Sequence, residues 1–96
     1  MVALEQRVYP HPQVVDTELD EGEVVLLHLD SKMYYSLNLT GRRIWQGLKQ
    51  GLTLEGISRR LQEEFDVDAE RADNSVLDLV NDLSKQNLVL PDTRSS

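Results

Sequence analysis

The chain has 96 residues, 40% of them hydrophobic and 28% charged, with a net charge of −7 and no cysteine. That length suits one domain with one modest core, which leaves little room for an enclosed active site. The lack of cysteine excludes disulfides, thiolate metal sites and cysteine nucleophiles, and no apolar run is longer than Val24–Leu27, so neither a spanning helix nor a signal-peptide core is present and a cytoplasmic protein is the default expectation.

Residues 1–13 read as an extended N-terminal segment, because Pro10 and Pro12 flank His11 and favour extended geometry. Three strands are predicted next. Val14–Leu19 alternates weakly, with Asp16, Glu18 and Asp20 on one face. Asp20-Glu21-Gly22 makes a turn, and Glu23–Leu29 carries a Val-Val-Leu-Leu run suited to a central strand. Asp30-Ser31-Lys32 makes a second turn before Met33–Leu37, which is rich in β-formers. The spacings describe a meander of two hairpins.

The hydrophobic period then changes. Asn38 or Thr40 caps a helix carrying Ile44, Trp45 and Leu48, with Gly51 as its stop. Gly41 and Gly47 fall inside this helix, a cost explained by close helix packing. Thr53 caps a second helix with Leu54, Ile57, Leu61 and Phe65 on one face. Asp68 caps a third, running to about Gln86, with Ala69, Ala72, Val76, Leu79, Val80 and Leu83 as core positions. Asn87 suits a left-handed stop, after which Leu88-Val89-Leu90 folds back on the core. The prediction is an α+β domain over residues 14–90, a three-stranded antiparallel meander followed by three helices, with 91–96 as a flexible tail.

The charge is unevenly spread. Residues 32–60 hold six bases and one acid, whereas both flanking segments are strongly acidic. A basic middle keeps DNA binding by a winged helix as an alternative. The total charge opposes it, as does a third helix carrying Glu70, Asp73, Asp78 and Asp82 against Arg71 and Lys85.

Catalytic chemistry is sparse. His11 and His28 have no partner at metal-ligand or triad spacing. No glycine-rich phosphate loop exists, and no serine or threonine has a neighbouring base. The acids of the first strand lack the glycine and closing glutamate of a calcium loop. They read as charges that blunt an exposed edge. The expectation is a protein that is not an enzyme, with no cofactor and no metal.

Two features need more than a core to explain them. The third strand, Met33-Tyr34-Tyr35-Ser36-Leu37, is an edge with no internal charge and no proline. An undefended edge is an aggregation hazard or a docking site for another strand. On the third helix, Leu77 and Leu79 lie about 160° apart and bracket the other apolar positions. The flank bearing Leu77, with Val80 and Asp73 beside it, is assigned to a groove.

The run Val25-Leu26-Leu27-His28-Leu29-Asp30-Ser31-Lys32-Met33-Tyr34-Tyr35-Ser36-Leu37-Asn38-Leu39-Thr40-Gly41-Arg42-Arg43-Ile44-Trp45 resembles the PqqD-like family, as do Leu61-x-x-x-Phe65-x-Val67 and Leu79-x-x-x-Leu83-x-x-x-Asn87-Leu88-Val89. Members of this family are recognition elements for the precursors of ribosomally made, modified peptides. The resemblance spans roughly residues 14–90 and is strongest to the stand-alone lasso-peptide version. It implies a small winged-helix-like fold and a non-catalytic adaptor. The leader segment of a precursor would add as a strand beside the third strand, over a groove shared with the third helix. The candidate peptide-binding residues are Lys32, Met33, Tyr34, Tyr35, Ser36 and Leu37 on the strand side and Asp73, Val76, Leu77 and Val80 on the helix side. The implied partners are the leader peptide, a separate cysteine leader peptidase and an ATP-dependent cyclase, with no nucleic acid and no membrane.

Overall fold

A computed structural model describes residues 3–91, with only the backbone described at Glu21. β2 (Val14–Glu18), β3 (Val24–His28) and β4 (Tyr34–Leu37) form an antiparallel sheet in that order. Three helices follow: α1 (Leu39–Lys49), α2 (Leu54–Phe65) and α3 (Ala69–Lys85). The predicted α+β meander-then-helices architecture is the one observed.

A pairing absent from the sequence reading joins the chain ends. β1 (Val8–Pro10) runs antiparallel to β5 (Val89–Pro91), matching Val8 to Pro91 and Pro10 to Val89. Each strand is only three residues long, below what periodicity detects. Val8 and Val89 are buried, so the N-terminal segment contributes to the core. Of the tail expected over 91–96, all but Pro91 lies outside the described residues.

Helix boundaries follow the capping chemistry. Asn38, Thr53 and Asp68 each accept a hydrogen bond from the backbone N–H three residues on, at Gly41, Gly56 and Arg71. Gly51 and Asn87 take φ of 79° and 58°, the left-handed stops their types allow. Between α2 and α3 the same conformation falls on Asp66, with φ 53°.

The helices cover one face of the sheet. Val24, Leu26 and Leu37 point inward onto Ile44, Trp45, Leu48, Val76, Val80, Leu83 and Leu88. Ala69, expected in this core, is exposed with the rest of the first turn of α3, and burial on this helix begins at Ala72.

Gly47 lets α1 and α2 touch. A Cβ there would stand 2.6 Å from Ile57 Cγ1. Gly47→Ala is therefore expected to destabilise the protein, because overpacking costs about 1–3 kcal/mol and alanine returns only about 1 kcal/mol of helix propensity. A lowered urea midpoint at unchanged slope would show it.

The acids of β2 bind the sheet to α1. They do not stand clear as edge charges. Trp45 Nε1 donates to Asp16 at 2.7 Å and Lys49 Nζ donates to the same oxygen at 2.9 Å, while Arg42 reaches Glu18 at 2.8 Å. The buried indole N–H needs an acceptor, and Asp16 is the side chain that supplies it. That bond, aided by Lys49, holds the Asp16 carboxyl below its usual value against the opposing effect of partial burial. A depressed carboxyl stabilises the fold above its unfolded value of 3.8, and the contribution is lost as pH falls through the folded value. Asp16→Asn should flatten that acid limb in urea melts recorded from neutral pH downward.

Candidate functional site

β4 is one of the two edges of the sheet, β2 being the other. The backbone alternation of β4 follows from the turn, where His28 N–H donates to the Met33 carbonyl at 3.0 Å. In an antiparallel ladder, bonded and non-bonded pairs then alternate. Tyr35 pairs with Leu26 and Leu37 with Val24 in bonding register. The N–H and C=O groups of Tyr34 and Ser36 consequently point away from β3, into the open edge. Side chains alternate as well: Tyr35 and Leu37 face the helices, whereas Tyr34 is 71% exposed on the outer face.

α3 lies alongside this edge. The Tyr35 hydroxyl reaches Asp82 at 3.4 Å, bridging strand and helix. Burial, reinforced by the Asp82 carboxylate, raises the phenol above its ordinary pKa, so it stays protonated and donates. Hollows lie on both sides of this bridge. Toward the end of β4, one of about 320 Å³ is lined by Glu23, Tyr35, Leu37, Gly41 and Leu79. Another of the same size adjoins α1 and takes Ile44, Ser75, Asp78, Leu79 and Asp82 as walls. Toward the turn, about 530 Å³ opens among His11, His28, Met33, Lys85 and Asn87.

The hollows beside β4 are lined by a flank of α3 other than the one assigned from sequence. Leu79 and Ser75 lie to one side of buried Val76 and border the groove, with Asp78 and Asp82 beyond them. Asp73 lies on the other side, accepting a hydrogen bond from Ser58 of α2, and Leu77 falls near it by helix geometry. Val76 and Val80 are fully buried and support the groove from beneath. On the strand side, Lys32 sits in the turn at φ 64°, Met33 is half-exposed just before β4, and Tyr34–Leu37 form the strand itself. The periodicity of α3 marks both flanks of its apolar arc. Which flank meets β4 depends on where α2 packs, and no local pattern encodes that.

The basic segment is largely paired. Arg42, Arg43, Lys49 and Arg59 bridge Glu18, Glu64, Asp16 and Glu55. Arg60 donates to Gln50 at 2.9 Å. Such neutralisation leaves little free positive field for a phosphate backbone. The histidines act as local acceptors: His28 Nδ1 receives the N–H groups of Asp30 and Ser31, and His11 Nδ1 that of Gln13. Among the described residues no group of three or more metal-ligating side chains assembles, and no helix is long and apolar enough to cross a membrane.

A meander with three helices on one face, its free edge running beside the last of them, defines a small winged-helix-like α+β domain. The chain belongs to the PqqD family: the model described as coenzyme PQQ synthesis protein D matches residues 23–89. It is similar to a solved structure of TbiB1 in complex with the TbiA(beta) leader peptide, at 30% identity and a TM-score of 0.79, covering 92% of this chain and 99% of that one. It is also similar to a lasso peptide synthetase B1 complexed with the leader peptide, at 30% identity and a TM-score of 0.77, covering 91% and 99%. No curated protein matches.

Proposed function

We infer that this protein is a non-catalytic adaptor that binds the leader segment of a ribosomal precursor peptide, of the lasso type, by β-augmentation at β4. The observation that carries this reading is the open β4 edge beside α3, in a chain similar over nine-tenths of its length to proteins solved with leader peptides. The outward backbone groups of Tyr34 and Ser36 supply strand pairing, and the hollows flanking Tyr35 supply side-chain selectivity. Affinity in the μM-to-nM range corresponds to about −8 to −12 kcal/mol.

The bound leader is delivered to a separate cysteine leader peptidase and an ATP-dependent cyclase, whose reactions speed up through raised effective concentration. The outer sheet face supports such a partner. There Val15, Leu27 and Tyr34 form a row across all three strands, and Val15 and Tyr34 are exposed. The test is calorimetric titration with synthetic peptides tiled through the N-terminal halves of short open reading frames beside the gene. One tile should bind with a dissociation constant of micromolar or below. Failure of every tile, with the protein folded, overturns the reading.

A further inference from the structure

We propose that the β4–α3 groove also selects its occupant by charge: the docked strand carries a lysine or arginine over the wall formed by Asp78 and Asp82, next to the apolar side chain it seats against Leu79. This rests on the docking reading above and specifies the peptide that satisfies it.

Asp78 and Asp82 are one turn apart on α3, and Leu79 is beside them on the groove side. Glu23 lines the neighbouring hollow with Leu79 and Leu37. None of the four salt bridges among the described residues uses Asp78, Asp82 or Glu23, and the one side-chain partner of Asp82 is the neutral Tyr35 hydroxyl. The ligand is indicated independently, by the outward backbone groups of Tyr34 and Ser36 in the same groove. At the turn end the lining mixes signs, with Asp30 and Lys85 beside His11 and His28, so the acidic wall is confined to the α1 end of the groove.

In the free protein these carboxylates are exposed and hydrated. An apolar strand laid over Leu79 strips part of that water, and an unpaired carboxylate then opposes docking. A lysine or arginine removes the opposition twice over. Its methylene stem covers Leu79 while its head pairs with the acids. An acidic side chain at the same place is rejected by like charge.

The experiment is selection from a phage-displayed library of random 12-residue peptides. The baits are wild-type protein, Asp78→Asn/Asp82→Asn and Ser36→Pro, each checked for folding by thermal melting. Wild type should enrich a lysine or arginine at one fixed position within an apolar alternating pattern. The double-asparagine bait should keep the apolar pattern and lose the basic position. For one enriched peptide made synthetically, replacing that base by glutamate should weaken binding to wild type about tenfold or more, and weaken binding to the double-asparagine variant far less. Enrichment of apolar strands without a basic position overturns the charge rule and leaves the docking reading standing. Enriched peptides that bind Ser36→Pro as tightly as wild type overturn both, since they do not sit on β4.

Discussion

Ser36→Pro is expected to weaken leader binding by at least about 100-fold, or roughly 2.8 kcal/mol, while shifting the melting temperature by no more than about 8 °C. Ser36 sits opposite Val25 in a non-bonding pair, so its N–H points into the open edge. Proline removes that donor and sets its ring where an added strand's carbonyl would lie. No bond to β3 is lost, and an edge strand tolerates proline where the N–H faces outward. Tyr35→Pro provides the contrast. Its N–H belongs to the ladder with Leu26, so the same substitution one residue earlier should lower the melting temperature markedly. Calorimetry and thermal melting on the two variants separate edge docking from simple disruption of the sheet. Equal binding by Ser36→Pro and wild type would remove β4 as the site.

Leu79→Asp is expected to abolish most binding, by about 100-fold or more, with Leu77→Asp close to wild type in affinity. Both leucines are half-buried at the margins of the α3 apolar arc. In the free protein an aspartate at either margin keeps much of its water. Only at Leu79 would the proposed strand cover it, and burying it unpaired costs several kcal/mol or forces protonation. Leu83→Asp serves as the unfolding control, because Leu83 is fully buried and domains of this size hold only about 5–15 kcal/mol of stability. A Leu77 variant that loses binding while Leu79→Asp retains it would return the groove to the α2 flank.

The elements with strong local signals were legible. Asn38, Thr53 and Asp68 are polar caps ahead of apolar periods, and each begins its helix as that chemistry requires. Gly47 read as a packing glycine, and Ile57 is the side chain that fills its space. The open β4 edge also followed from the absence of charge and proline in a terminal strand of the meander. What escaped was long-range. Val8 meets Pro91 from the other end of the described chain, and neither strand is long enough to announce itself. Asp16 looked like an edge-blunting charge because its acceptor role depends on Trp45, 29 residues away. Which flank of α3 lines the hollows beside β4 was hidden for the same reason, since the Ser58–Asp73 contact that fixes the opposite flank against α2 is tertiary.

Amide hydrogen exchange, resolved by residue with and without a bound leader peptide, tests the docking of a strand on β4 most directly. The amides of Tyr34 and Ser36 point into the open edge, so they should exchange fast in the free protein and slow strongly on binding. Those of Tyr35 and Leu37, already bonded to β3, should change far less. Protection that instead appears along β2, or on the paired arginines of α1 and α2 with Tyr34 and Ser36 unchanged, would contradict augmentation at β4.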